Sequence, residues 1–300
     1  MKVVLSGIWY PVAILRYVEA ALRRRTDINL CTVGRYTGRT IPWGGGMVLG
    51  NVPEAQCAPP DLILTAPRTP ISYVEANLPW KPDVWFQMNS TDGLIGKPSS
   101  GKNLIVGVDP HCIDYTEARQ YADTFFCMQT PYMQNGDVWL PYAYDPIWHA
   151  PRDPSRPEIV RQYDGGLVGA PYRDRVKLAE SLRASGHVIL LTGYGPAYNE
   201  ARDLYHQCKI GLNWSTRENL CARVFEVAAM GLCPVVNRVP DLEKMGWIEG
   251  THYFGFSTLS EGLQRFVDAL QVWEQTAKQA CEFVAPHTWD ARVETVLSYA

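Results

Sequence analysis

Residues 210–238, IGLNWSTRENLCARVFEVAAMGLCPVVNR, gather the side chains whose types and spacing can do chemistry. Two carboxylates, Glu218 and Glu226, stand eight positions apart with Arg223 between them. The stretch reads as a strand (210–213), a polar loop (215–219), a helix (221–230) stopped by Gly231, and a second strand (233–236). Apart from Arg223 and Glu226, that helix carries only Cys, Ala, Val, Phe and Met. It therefore reads as buried, where a charge is costly unless paired or used. One use is mutual, since residues three apart on a helix can pair. The other is a ligand. A carboxylate in the loop entering the helix and another in its second turn can point at one molecule bound over the helix start. Free N–H groups and the positive end of the helix dipole suit a phosphate there. Glu226 can then accept hydrogen bonds from a vicinal diol such as ribose, and Arg223 can pair with phosphate oxygens.

Glu218-x7-Glu226 resembles the Glu-x7-Glu motif of retaining nucleotide-sugar glycosyltransferases with the GT-B fold. The wording ARVFEVAAMGLCPVV resembles, more narrowly, the CgeB-like (spore maturation protein) glycosyltransferases, whose pattern is R-x-F-E-a-x-a-x-G. WLPYAYDPIWHAP and HTWDARVETVL resemble further segments of that family. The likeness runs from about Pro141 to the end, and the first half fits in outline. It implies an α/β protein of two Rossmann-like doubly wound domains facing across a cleft. It also implies a nucleotide-diphosphate sugar as donor, a UDP-sugar being the expected one, and transfer to a hydroxyl acceptor with retention. Under the resemblance Glu218 holds donor-sugar hydroxyls, Glu226 the ribose, and Arg173, Arg175 and Arg223 the diphosphate. Asn219, beside Glu218 in the loop, joins the donor-binding set.

The elements that must position these groups are short apolar strands alternating with helices, the pattern of an open parallel sheet. Ligands of such sheets lie at the carboxyl ends of the strands. In the first half that rule selects Gly7 after strand 2–6, Asn89–Gly93 after strand 84–88, and Asp109-Pro110-His111 after strand 104–108. A lone histidine is more often structural or merely exposed, but a strand end beside Asp109 is a place for a catalytic one. The resemblance puts a donor-sugar contact there, so His111 and Asp109 are the catalytic candidates. In the second half, strand 166–169 runs into GAPYRDR, which sets Gly169, Arg173 and Arg175 at the mouth of helix 176–184. A solvated helix start beside Asp174 is the plainer reading. Positive charge at a helix N-terminus is mildly unfavourable, however, so two arginines there ask for a reason. Strand 188–192 ends in Gly193-Tyr194-Gly195-Pro196, where backbone groups and the Tyr194 ring can meet a nucleobase. Further helices are expected at 11–25, 115–122, 198–207 and 259–273, and residues 36–60 read as one long loop.

Five prolines between 141 and 161 mark a linker, because proline is barred from helix interiors and central strands. The expected division is 1–150 as an acceptor domain, 151–285 as a nucleotide-sugar domain, and 286–300 as a helix returning to the first. His149, in the linker, reads as exposed or capping.

The whole chain of 300 residues is 46% hydrophobic and 20% charged, with a net charge of −3, and suffices for two cores. No apolar run approaches the roughly 18–20 residues of a membrane span. The opening MKVVLSGIWYPVA reads as a first strand and turn and not as a leader. Eight cysteines without a framework spacing fit a reducing cytoplasm. The halves hold 12 basic and 13 acidic residues, then 16 and 18, so charge does not support a nucleic-acid acceptor, although a modified DNA base, a polysaccharide and a protein all stay open. The basic run Arg23–Arg25 closes a helix and complements its dipole. A P-loop, a Gly-x-Gly-x-x-Gly turn, a Gly-x-Ser-x-Gly elbow and an Asp-x-Asp triplet are all missing. No metal and no cofactor is therefore expected. A nucleotide-sugar epimerase and a non-catalytic nucleotide-sugar binder are the rivals.

Overall fold

Val3, Val4 and Leu5 are wholly buried although they are consecutive, so both faces of their strand are covered. That strand, β1 (Lys2–Trp9), lies in the interior of the first sheet in the computed structural model. The structure describes residues 1–43, 46–49, 52, 57–88, 93–153, 155, 160–193, 196–215, 217 and 219–300. Chain contacts divide it into one unit of Met1–Pro141 with Trp289–Ala300, and another of Tyr142–Thr288. Residues 142–150, read from sequence with the first half, thus fall within the second unit.

In the first unit β1 is followed by α1 (Ile14–Arg23), β2 (Asn29–Tyr36), β3 (Thr40–Trp43), β4 (Gly46–Leu49), β5 (Leu62–Ile63) and α2 (Ile71–Asn77). Then come β6 (Val84–Met88), β7 (Lys102–Gly107), α3 (Thr116–Tyr121), β8 (Thr124–Cys127) and β9 (Val138–Trp139). The sheet order is β5-β2-β1-β6-β7-β8-β9, with every neighbour parallel. β3 and β4 make a separate antiparallel hairpin inside what reads from sequence as a loop.

The first strand does not stop before Gly7. It continues to Trp9, and Gly7 pairs with Gly34 inside the sheet. A Cβ on Gly7 would lie 2.7 Å from the Met88 carbonyl oxygen, so the glycine permits close packing of backbone. Two of the three arginines closing α1 serve the last helix. Arg24 makes a bidentate pair with Asp290, both contacts at 2.7 Å, and Arg25 reaches Glu294 at 2.5 Å.

The second unit contains β10 (Tyr163–Leu167), α4 (Arg173–Ala184), β11 (Ile189–Leu191), α5 (Asn199–Tyr205), β12 (Cys208–Asn213) and α6 (Ala222–Ala229). It continues with β13 (Cys233–Asn237), α7 (Pro240–Met245), β14 (Phe254–Phe256) and α8 (Leu259–Val284). The final helix, α9 (Trp289–Leu297), belongs to the first unit. The second sheet is β11-β10-β12-β13-β14, again all parallel. Leu167, Ile210, Leu212, Val235, Phe256 and Phe266 form its core, each contributing roughly 1.5–3 kcal/mol by burial.

Two local features differ from expectation. Helix α8 runs 11 residues past the expected end at Trp273, and only Val272 breaks its geometry, at φ −133° and ψ 17°. No Gly or Pro interrupts residues 274–284, so nothing local ends the helix there. Short α7 went unread, although it has proline in its first turn and left-handed Gly246 as its stop.

No helix among the described residues is long and apolar enough to cross a membrane. The eight cysteines form no disulfide.

Candidate donor site at the switch point of the second sheet

In the second unit the strand order reverses between β10 and β12, and the crevice of such a sheet opens at the carboxyl ends of these two strands. Three chain segments meet there. β10 leads into Gly169, β12 ends on Asn213, and α6 begins just after. Gly211 allows α6 to come close, since a Cβ at that position would lie 2.6 Å from Cβ of Val227. The same economy holds at Gly169, whose φ of +116° suits only glycine.

Arg175 and Arg223 meet over Asn213. Asn213 Oδ1 accepts from Arg175 Nη2 at 3.2 Å and from Arg223 Nη1 at 3.1 Å. Arg175 also donates to the carbonyls of Trp214 (2.8 Å) and Ala170 (3.3 Å), and its guanidinium lies 4.7 Å from the Tyr172 ring centroid. Arg223 donates to the Val168 carbonyl at 2.9 Å. Every one of these acceptors is neutral. Among the described residues, no carboxylate comes within ion-pair distance of either arginine. Burial, reinforced by the positive charge of Arg223, pulls the Arg175 guanidinium down to about 10. Burial also lowers that of Arg223, but Tyr205, Cys221 and Glu226 together leave it raised. Two adjacent cations held by neutral acceptors are able to receive an anion.

The expected helix-face pair is not made. Glu226 instead lies beside His149, with Oε1 3.6 Å from Nε2. His149 is buried, and it does cap, because its Nδ1 accepts from the Asp145 amide at 3.0 Å. Asp145 Oδ1 accepts in turn from the amides of Ile147 (2.9 Å) and Trp148 (3.1 Å). Burial lowers the His149 pKa against the upward pull of Glu226 and Asp145. Trp148 packs on Tyr198, with centroids 4.7 Å apart, and His206 bonds the Ala150 carbonyl at 3.0 Å. The residues 145–150 are therefore anchored in the second unit at three points.

Arg173 is the exposed first residue of α4, and Asn219 is half-buried before α6. Glu218, Tyr194 and Asn89 lie outside the described residues. Sequence reasoning missed Asn213 and Asn237. Asn237 Oδ1 accepts from the Ser215 amide at 2.7 Å, and its Nδ2 donates to Ser215 Oγ at 2.9 Å. The signal was present, since β12 and β13 are apolar runs that each end on asparagine.

In the first unit, His111 and Asp109 follow β7. Asp109 has a left-handed φ of 52°, and its carbonyl accepts from the amides of Cys112 (2.8 Å) and Ile113 (3.2 Å). His111 Nδ1 is 3.1 Å from Oε1 of buried Gln129. The imidazole lines a cavity of about 350 Å³ with Asp114, Tyr115, Arg119 and Tyr132. Arg119 is already matched to Asp137 at 2.8 Å, which leaves the cavity without a strong cation. Among the described residues, no group of three or more His, Cys, Asp or Glu side chains is placed to hold a metal.

Residues 166–298 match a family model described as "Glycosyl transferase-like". Comparison with curated proteins by sequence gave no match. Several solved structures share the fold. The sucrose-phosphate synthase from Thermosynechococcus elongatus superposes with a TM-score of 0.67 at 10% identity, over 99% of this chain and 98% of that one. Anabaena Alr3699/HepE, in complex with UDP and glucose, gives 0.64 at 12% identity over the whole of both chains. An alpha-glucosyltransferase in complex with UDP and a 13-mer DNA containing an HMU base gives 0.59 at 10%, covering 96% of each. The chain thus has two Rossmann-like sheets of parallel strands in the GT-B fold, and its second unit carries a segment, residues 166–298, similar to the glycosyl transferase-like family.

Proposed function

We propose that the chain transfers a sugar from a nucleoside-diphosphate sugar to a hydroxyl acceptor, without a metal or cofactor and with retention at the anomeric carbon. The observation that carries this reading is the shared Asn213 acceptor, which holds Arg175 and Arg223 together with no described carboxylate within ion-pair distance. As the bond from the anomeric carbon to the phosphate oxygen breaks, its electrons pass to the diphosphate. The acceptor oxygen makes the new bond and gives up its proton. Charge growing on the leaving group is what fixed cations and backbone N–H groups stabilise best.

In this reading Arg175 and Arg223, with Arg173 at the rim, hold the diphosphate, Gly169 makes room for them, and Glu226 accepts from the ribose. Glu218, Asn219 and Tyr194 keep the donor roles that the motif resemblance gives them, and His111 and Asp109 are the catalytic candidates of the first unit. UDP is the proposed nucleotide, in keeping with the UDP bound in two of the structures of the same fold. We assign the chain to the CgeB-like branch on its R-x-F-E helix and to the cytoplasm on eight cysteines that form no disulfide. The acceptor class spans polysaccharide, protein and modified DNA base.

The test is calorimetric binding of UDP to the wild type and to Arg223→Ala, followed by a donor screen reading released nucleoside diphosphate with and without acceptors. Loss of a charged hydrogen bond predicts binding about 10–150-fold weaker in the variant. Equal binding would remove the arginine pair from the site.

A further inference from the structure

We propose that His149 is a positioning residue for Glu226, presenting an Nε2–H that holds the carboxylate where it accepts from the ribose diol. The inference rests on the ribose role proposed above for Glu226.

The argument begins with the Asp145 amide. A backbone N–H can only donate, so Nδ1 of His149, 3.0 Å away, must be the unprotonated nitrogen of the ring. A neutral imidazole then carries its one proton on Nε2. That nitrogen lies 3.6 Å from Glu226 Oε1, a gap that a small rotation of the carboxylate closes to a hydrogen bond. The ring itself has little freedom. It is 8% exposed, and the His149 amide donates to the Asp145 carbonyl at 2.9 Å. Asp145, wholly buried, gathers two further amides with its side chain, so the residues presenting His149 form a closed local knot. Glu226, by contrast, sits on the outer edge of the site with a fifth of its side chain exposed. A carboxylate with one oxygen engaged by a fixed donor keeps its other lone pairs aimed at a diol, whereas a free one rotates.

Among the described residues, the charged groups acting on His149 are Glu226 from α6, Asp145 from its own loop and Arg202 from α5. Both acidic groups favour the protonated ring and Arg202 opposes it, while the two ring nitrogens face different partners. In the proposed contact Glu226 accepts from Nε2–H, while the Asp145 amide donates to Nδ1. The histidine thus reads both ends of the contact, and glutamine and asparagine separate them. In His149→Gln the amide reaches the Nε2 position and keeps the donor to Glu226. In His149→Asn it reaches only the Nδ1 position, which keeps the Asp145 bond and removes the donor.

The experiment measures UDP and 2′,3′-dideoxy-UDP binding by calorimetry for the full chain, His149→Asn, His149→Gln and Glu226→Ala. Expected for His149→Asn is UDP binding about tenfold weaker with dideoxy-UDP unchanged, and for His149→Gln binding near wild type. If His149→Asn binds UDP like the wild type while Glu226→Ala is impaired, the positioning role is overturned and the donor reading survives. If Glu226→Ala also binds UDP normally, the ribose reading and this inference fall together. Nitrogen-15 spectra of histidine-labelled wild-type chain give a second readout that needs no folded variant at that site. The His149 signals should show an unprotonated Nδ1 and an Nε2–H that shifts with UDP but not with dideoxy-UDP. A protonated Nδ1, or equal shifts with both nucleotides, would refute the proposal.

Discussion

The guanidinium of Arg223 fills the space that a side chain at Gly169 would need, for a Cβ built there lies 2.6 Å from Arg223 Nη2. Glycine at 169 is thus as much a part of the proposed anion site as the arginine. Gly169→Ala should displace Arg223 and strain a backbone at φ +116°. The expected outcome is UDP binding weaker by about tenfold or more, with a loss of roughly 1–3 kcal/mol in stability. Calorimetry and urea unfolding of the variant check both.

Arg175 is bound by three acceptors in three directions, which a guanidinium fork satisfies and an ammonium cannot. Arg175→Lys should therefore behave as a disruptive change, losing about 1–3 kcal/mol of stability together with nucleotide affinity. Wild-type melting and binding in that variant would show that charge alone suffices.

Stability should fall in mild acid on account of His149. Burial holds its folded pKa below the ordinary value of about 6.5, so the unfolded chain takes up the proton first. The contribution is complete above about 6.5 and drains away as pH drops through the depressed folded value. Denaturant unfolding at pH 7.5 and at 5 should show a smaller acid loss in His149→Gln than in the wild type.

Asp109→Gly separates a turn from a catalyst. The left-handed φ of 52° costs aspartate energy that glycine does not spend, so melting should hold or rise. If the carboxylate acts in transfer, turnover should drop by about 10²-fold or more in a chain that is no less stable. Unchanged turnover would make Asp109 a turn residue only.

Metal removal should leave the enzyme working. With two guanidiniums at the proposed diphosphate site, turnover in EDTA is expected to match that in buffer. Abolition by EDTA with recovery in Mg²⁺ or Mn²⁺ would contradict the metal-free proposal.

What the sequence made legible was whatever short-range pattern governs. The strand, loop, helix and strand around Arg223 came from runs of apolar residues and one glycine stop. Arg175 stood out because cations are misplaced at a helix start. The rest depends on distance. His149 looked like a linker residue because its neighbour Glu226 is 77 positions away, and nothing in the linker's own composition points to it. Asn213 reads from sequence only as the last letter of a strand, since two arginines meet it only once α4 and α6 are both in place. Gly7 misled in the opposite direction. A glycine after an apolar run suggests a turn, yet a strand packed on both sides needs glycine too.

Gly211 carries a consequence of its own. Because Val227 rests against bare backbone there, the height of α6 above the sheet is set by an absent side chain. Arg223 and Glu226 ride on that one helix, so any bulk added at 211 would lift the proposed phosphate and ribose contacts together, as a lever lifts everything on its arm. A change of donor preference can therefore come from loop residues around the nucleotide one at a time. Widening the strand-to-helix gap would not retune the site but detune all of it at once.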